Sequence, residues 1–208
     1  AYPYVFCSEY FAGIGIPAVT IDNRKAARDA VEHLLSAGHR EIAFIGGAPE
    51  YLSSAHRKEG YTQALHAAGI VPRGEYMVSA SYSFGGGIRA CDRLMELDRP
   101  PTAVFAVSDS IAVGFIRRLS ELGQKAGEDV AVVGFDDTAM AAVYTPSVTT
   151  IAQPRRELGR AAMRLLLGRI AGEKTEEFLI FPHALIPRES SGRRVAADNP
   201  LRGASKGD

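Results

Sequence analysis

Two short apolar runs constrain this chain more than any other feature. Ala103–Val107 reads AVFAV and Val130–Phe135 reads VAVVGF, each bounded by polar residues and joined by a helical pattern. Continuous runs of that length, rich in valine and phenylalanine, suit parallel strands buried on both faces. Each run ends directly in polar and acidic residues, Ser108-Asp109 after the first and Asp136-Asp137 after the second. In an open parallel sheet ligands bind in the crevice outside the carboxyl ends of the strands. Both acidic pairs are therefore expected to point into one crevice.

The rest of the chain alternates strand and helix signals. Ile16–Asp22 is extended, and Asn23–Ala37 places Ala27, Ala30, Val31, Leu34 and Leu35 on one helical stripe that Gly38 stops. A strand over Glu41–Gly46 precedes a helix from about Ala55 to Ala68, with Tyr61 and Leu65 inward. A strand at Tyr76–Ala80 leads to a helix burying Ile88, Cys91, Leu94 and Met95. From Asp109 a helix carries Ala112, Phe115, Ile116, Leu119 and Leu122 inward and ends at Gly123; Ile111 and Val113 fall off that stripe. Gln153-Pro154 opens a helix with proline in its first turn, striped by Leu158, Ala162, Leu165 and Leu166. Phe178–Ile186 reads as one last extended run, and the tail from Ser190 has no periodicity and is expected to be disordered. Alternation of this kind predicts an α/β protein with doubly wound parallel sheets.

Charge and composition exclude several classes. Lys+Arg and Asp+Glu both number 24, so net charge offers no argument for a nucleic-acid surface on this chain. The two cysteines, Cys7 and Cys91, read as small buried hydrophobes in a reducing compartment. No apolar run approaches membrane-spanning length, and the first residues lack the pattern of a signal peptide, so a cytoplasmic protein without a membrane partner is expected. The five histidines have no paired spacing on a common face, and no GxSxG, P-loop or HExxH pattern occurs. The expectation is a non-enzyme without metal or cofactor.

Five motifs carry a resemblance: IPAVTIDNRKAARDAVEHLLSAGHREIAFIGG at 16–47, RKEGYTQALHAAGI at 57–70, PTAVFAVSDSIAVGF at 101–115, DVAVVGFDD at 129–137 and PSVTTIAQP at 146–154. In that order and spacing the chain resembles the effector-binding domain of the LacI/GalR family of transcriptional regulators. Within the family, EYFAGIGIPAVTIDN and TTIAQPRRELGRAAMRLLL look most like the cytidine repressor group. The resemblance implies a periplasmic-binding-protein-like fold of two subdomains, with a small-molecule effector, a sugar or nucleoside, held between them. On this numbering, 1–21 and 153–180 match part of the N-terminal subdomain, 22–152 and 181–192 match the C-terminal one, and 193–208 is the tail. It further implies a homodimer, to which Ile111, Val113, Met140 and the segment around Tyr144 would contribute. Family members read operator DNA through a helix-turn-helix domain that has no counterpart in this sequence. The alternative reading is a periplasmic sugar-binding protein of a transporter, which shares the fold.

The candidate ligand residues are Asp136, Arg57, Tyr82, Asp109, Ser108, Gln153 and Phe84. A carboxylate such as Asp136 accepts two hydrogen bonds from vicinal hydroxyls, although an aspartate there also suits a helix cap, a role that fits Asp137 better. Arg57, read as lying in a first helical turn, would work against the helix dipole unless it reached into the crevice. Tyr82 follows a strand and suits stacking on a ring, with Phe84 a rival for that role. Ser108 and Asp109 either touch ligand or cap the helix that follows. Gln153 either touches ligand or steadies a crossover. The family match places effector contacts at Asp136, Arg57 and the aromatic position.

Overall fold

The computed structural model describes residues 2–10, 15–47 and 51–192. Its strands form two sheets. The smaller is parallel, in the order β1 (Phe6–Cys7), β2 (Ala18–Ile21) and β8 (Phe178–Phe181). The larger has six strands in the order β4 (Met77–Ser79), β3 (Ile42–Gly46), β5 (Ala103–Ala106), β6 (Ala131–Asp136), β7 (Thr149–Ala152) and β9 (Ala184–Ile186). All pairings in it are parallel except that of β7 with β9. The strand order reverses between β3 and β5, which puts the sheet's crevice at their carboxyl ends.

The two apolar runs are the middle of this sheet. Val104, Phe105, Val132, Val133 and Phe135 are all fully buried. Helices α1 (Asn23–Ser36) and α2 (Leu52–Ala67) pack together, as do α3 (Phe84–Met95) and α4 (Asp109–Glu121); both pairs lie on the large sheet. The short α5 (Ala139–Val143) follows β6, and α6 (Arg155–Ile170) lies on the small sheet against β1 and β2. The chain passes from the small sheet to the large one after Ile21, returns after Ala152, and crosses again between Phe181 and Ala184.

Glycine sets how closely the helices pair. A Cβ on Gly87 would lie 2.1 Å from the Ile111 carbonyl oxygen, and one on Gly114 would lie 2.0 Å from that of Phe84. On the other pair, a Cβ on Gly60 would lie 2.1 Å from the Arg24 carbonyl oxygen. Backbone therefore meets backbone in both helix pairs, a separation no larger residue permits.

Several expectations are corrected. The extended run 178–186 is two strands belonging to different sheets, broken at Pro182-His183. Ile111 and Val113 are core residues (0% and 4% exposed), because α4 is covered by α3 on one side and the sheet on another. Leu122, expected inward, is half exposed. Cys91 is buried but Cys7 is exposed on β1. Ser190 and Ser191 are buried, not part of a free tail: the Ser190 hydroxyl donates to the Val132 carbonyl (2.6 Å) and accepts from the Thr149 N–H (2.9 Å). The expected disordered tail 193–208 lies outside the described residues.

Replacing Gly60 by alanine tests the helix contact. Forcing α2 away from α1 is expected to cost about 1–3 kcal/mol, read as a lower denaturant midpoint with an unchanged slope. A wild-type midpoint would show that the helices tolerate the added methyl.

Candidate functional site: a crevice at the strand ends

The crevice is built around one buried cation. Arg57 is 4% exposed and lies in the second turn of α2, since that helix begins at Leu52 and not near Ala55. The dipole argument for Arg57 thus rested on too late a helix start. Burial itself singles the residue out, because a buried charge must be compensated. Its Nε donates to Asn23 Oδ1 (2.9 Å) and its Nη1 to the Val107 carbonyl (2.6 Å), while the guanidinium carbon sits 3.6 Å from the Phe135 ring centroid. These contacts bring α1, β5 and β6 to a single side chain. Nη2 has no hydrogen-bond partner among the described residues, and among them no sealed side-chain polar atom lacks one. Nη2 is therefore the edge of the guanidinium that keeps contact with solvent.

Asp136, next to Phe135, ends β6 with φ +105°, and Asp137 follows at φ +49°. Positive φ is rare outside glycine and carries strain that persists where surrounding structure holds it. Asp136 Oδ1 accepts from Gln153 Nε2 (2.7 Å), and its Oδ2 has no partner among the described residues. Burial raises the Asp136 pKa above its ordinary value of 3.8, opposed by the Arg57 charge, the Gln153 hydrogen bond and the Arg155 charge. Burial pushes Arg57 the other way, opposed by Asp136, Tyr82 and Glu9. The two side chains thus offer an unpartnered donor edge and an unpartnered acceptor oxygen that feel each other's charge without forming a direct ion pair.

Tyr82 is 40% exposed and lies over Gly47, where an added Cβ would meet its ring at 2.1 Å. Its ring stands edge-on to Tyr51 at 5.9 Å, so two half-exposed aromatics line this end of the crevice. Phe84 opens α3, half exposed, and makes no ring contact among the described residues. Of the two rivals, Tyr82 is the one that acts electrostatically on Arg57.

Two candidates make structural contacts. Ser108 caps α4, its hydroxyl accepting from the Ile111 N–H (3.3 Å). Asp109 is 1% exposed: Oδ2 accepts from the Thr138 N–H (2.7 Å) and hydroxyl (3.0 Å), and Oδ1 from the Thr150 hydroxyl (2.6 Å). It braces the loop after β6 through Thr138 and ties it to β7 through Thr150. Asp137 is not the cap of α5 either; its Oδ1 accepts from Arg188 Nη2 (2.7 Å). Asn23, Tyr51 and Glu9 were not among the candidates. Asn23 had a signal, a poor helix former at the start of a helix; Glu9 had none. Among the described residues, no group of three or more His, Cys, Asp or Glu side chains is arranged to hold a metal. No helix among them is long and apolar enough to cross a membrane.

Residues 31–191 match the model of the periplasmic binding protein-like domain. A regulatory protein of the LacI family from Chloroflexus aggregans superposes with a TM-score of 0.83 at 30% identity, over 91% of this chain and 69% of that one. This chain belongs to the LacI family. The transcriptional repressor CytR of Escherichia coli is 40% identical over 82% of this chain and 50% of its own length. The complex of the LacI-family regulator CelR with cellobiose superposes at a TM-score of 0.84 with 35% identity, over 91% of this chain and 58% of that one. The chain thus spans about half the length of the curated LacI-family relative CytR.

The role of Asp109 is testable by stability. Asp109→Ala orphans three donors and is expected to cost about 3 kcal/mol, with a much smaller loss for Asp109→Asn. Chemical denaturation of both variants reads the difference; equal, negligible losses would mean that the carboxyl does not brace the β6 loop.

Proposed function

We propose that this chain is the effector-sensing part of a LacI-type transcriptional repressor, binding an uncharged hydroxylated ligand, a sugar or nucleoside, in the crevice. The observation that carries this reading is that Arg57 Nη2 and Asp136 Oδ2 each lack a partner among the described residues while the two side chains feel each other's charge without a direct ion pair. Hydroxyls donate and accept at once, so a polyhydroxy ligand suits both groups. The exposed ring faces of Tyr82 and Tyr51 suit the apolar face of a sugar or base. No nucleophile–base pair is required by this arrangement, which supports binding without conversion.

In this reading, residues 1–21 and 153–180 belong to one effector subdomain and 22–152 with 181–192 to the other. Ligand bridging the two would favour one of two rigid-body arrangements, and a helix-turn-helix domain elsewhere in the protein would report it on operator DNA. A cytoplasmic homodimer follows, with the exposed Met140 and Val143 of α5 offering apolar contact in place of the buried Ile111 and Val113. Kinship with CytR supports a regulator over a transport protein.

Calorimetric titration of the intact protein with nucleosides and with cellobiose tests the site. Asp136→Asn and Arg57→Lys are each expected to weaken the bound compound by roughly 10- to 100-fold, the cost of losing a hydrogen bond to a charged group. Affinity is also expected to fall in acid. As pH drops through the folded-state pKa of Asp136, raised by burial, the carboxylate is neutralised, so the decline begins above the range of an exposed aspartate. Wild-type affinity in both variants would remove the crevice assignment.

A further inference from the structure

Asp136 and Asp137 are consecutive residues with positive φ, and a turn of that kind persists only where its surroundings hold it. Asp137 lies one residue beyond the last rung between β6 and β7, which joins Asp136 to Ala152, so the ladder does not fix it. Three other contacts do. Its N–H donates to the Thr150 hydroxyl (3.3 Å), its carboxylate accepts from Arg188 Nη2 (2.7 Å), and its carbonyl accepts from Arg155 Nη2 (2.8 Å). Thr150 lies on β7 and Arg188 follows β9, both of the large sheet. Arg155 is the first residue of α6, the helix that lies on the small sheet.

The half of the molecule that carries the small sheet thus reaches both crevice groups. On one side Glu9, just after β1, accepts from the Ser53 N–H (3.1 Å) and hydroxyl at the start of α2, the helix of Arg57. It serves as the cap there, since Tyr51 makes no side-chain capping bond. On the other side Gln153 holds Asp136 Oδ1 (2.7 Å), and Arg155, two residues on, holds the carbonyl of the next residue. The Arg155 N–H donates to the Gln153 carbonyl (2.8 Å), so the two grips form one unit. Arg155 is itself exposed, so its side chain adds little to the core.

We propose that Arg155 is a positioning residue for effector binding: its grip on the Asp137 carbonyl fixes where the Asp136 carboxylate points. This rests on the crevice reading above. The guanidinium also acts on the Asp136 carboxylate by charge, opposing the rise in pKa that burial causes. The other charged groups around Asp136 are Arg57 of α2 and Asp109 of α4, while Asp137 and Arg188 beside it pair with each other. Removing the Arg155 charge therefore raises the Asp136 pKa further, and the loss of affinity in acid moves to higher pH.

Calorimetric titration of the intact protein with cytidine and with cellobiose, over a range of pH, tests the proposal. For whichever compound wild type binds, Arg155→Gln is expected to weaken binding by about tenfold, the scale of one hydrogen bond from a charged group. The same variant is expected to shift the acid decline to higher pH. Arg155→Lys keeps the charge and a donor, and is expected to retain most of the affinity. In the Asp136→Asn background, Arg155→Gln is expected to cost less than about twofold more, because its effect passes through the carboxylate. Wild-type affinity and pH profile in Arg155→Gln overturn the proposal and leave the crevice standing. So do losses that add in the double variant, which would mean that Arg155 touches the ligand itself. Failure of wild type to bind either compound overturns the crevice reading as well.

Discussion

The arrangement of the crevice depends on the burial of the Arg57 guanidinium. A charge removed from water must be met by partners, and here they come from three separate elements: the amide of Asn23, the carbonyl of Val107 and the ring of Phe135. Each partner is neutral, so the charge is solvated without being cancelled. It remains available to act on Asp136 and on whatever enters the crevice. Gly60, one turn along α2, is what lets the helix lie close enough to α1 for Arg57 to reach Asn23. Sequence spacing, helix packing and site electrostatics are thus one constraint.

Strain follows the same geography. Among the described residues, the non-glycine positions with positive φ are Ser8, Asp136 and Asp137. All three lie at the ends of strands, Ser8 just past β1 of the small sheet and the aspartates at the end of β6 of the large one. Backbone held in such conformations marks places where side-chain direction matters more than local stability. Asp136 is aimed by it towards Arg57 and Gln153, and Glu9 is delivered by it to α2.

Much of the fold was legible because its core strands are continuous apolar runs and its helices carry single stripes. Legibility failed where neighbours, and not periodicity, decide burial. Helix α4 is buried on more than one face because Gly87 and Gly114 bring α3 against it, so Ile111 and Val113 look like surface positions only when α4 is taken alone. Strand β7 reads TTIA and has no apolar run; Thr149 and Thr150 are buried because Ser191 and Asp109 satisfy their hydroxyls. Arg57 and Asp136 were singled out from RKEGY and GFDD through family likeness. Asp109 stayed open between ligand contact and a structural role, because a carboxyl at a strand end reads the same in either; its bonds to Thr138 and Thr150 are the part that sequence could not show. Glu9 was invisible, since its role exists only where two sheets meet.

A crystal structure of the protein grown with a bound nucleoside or with cellobiose tests the central claim most directly. The account predicts ligand hydroxyl oxygens within hydrogen-bond distance, about 3 Å, of both Arg57 Nη2 and Asp136 Oδ2, with Tyr82 against the ring. A ligand seated elsewhere, with Arg57 and Asp136 making only the contacts described above, would contradict it.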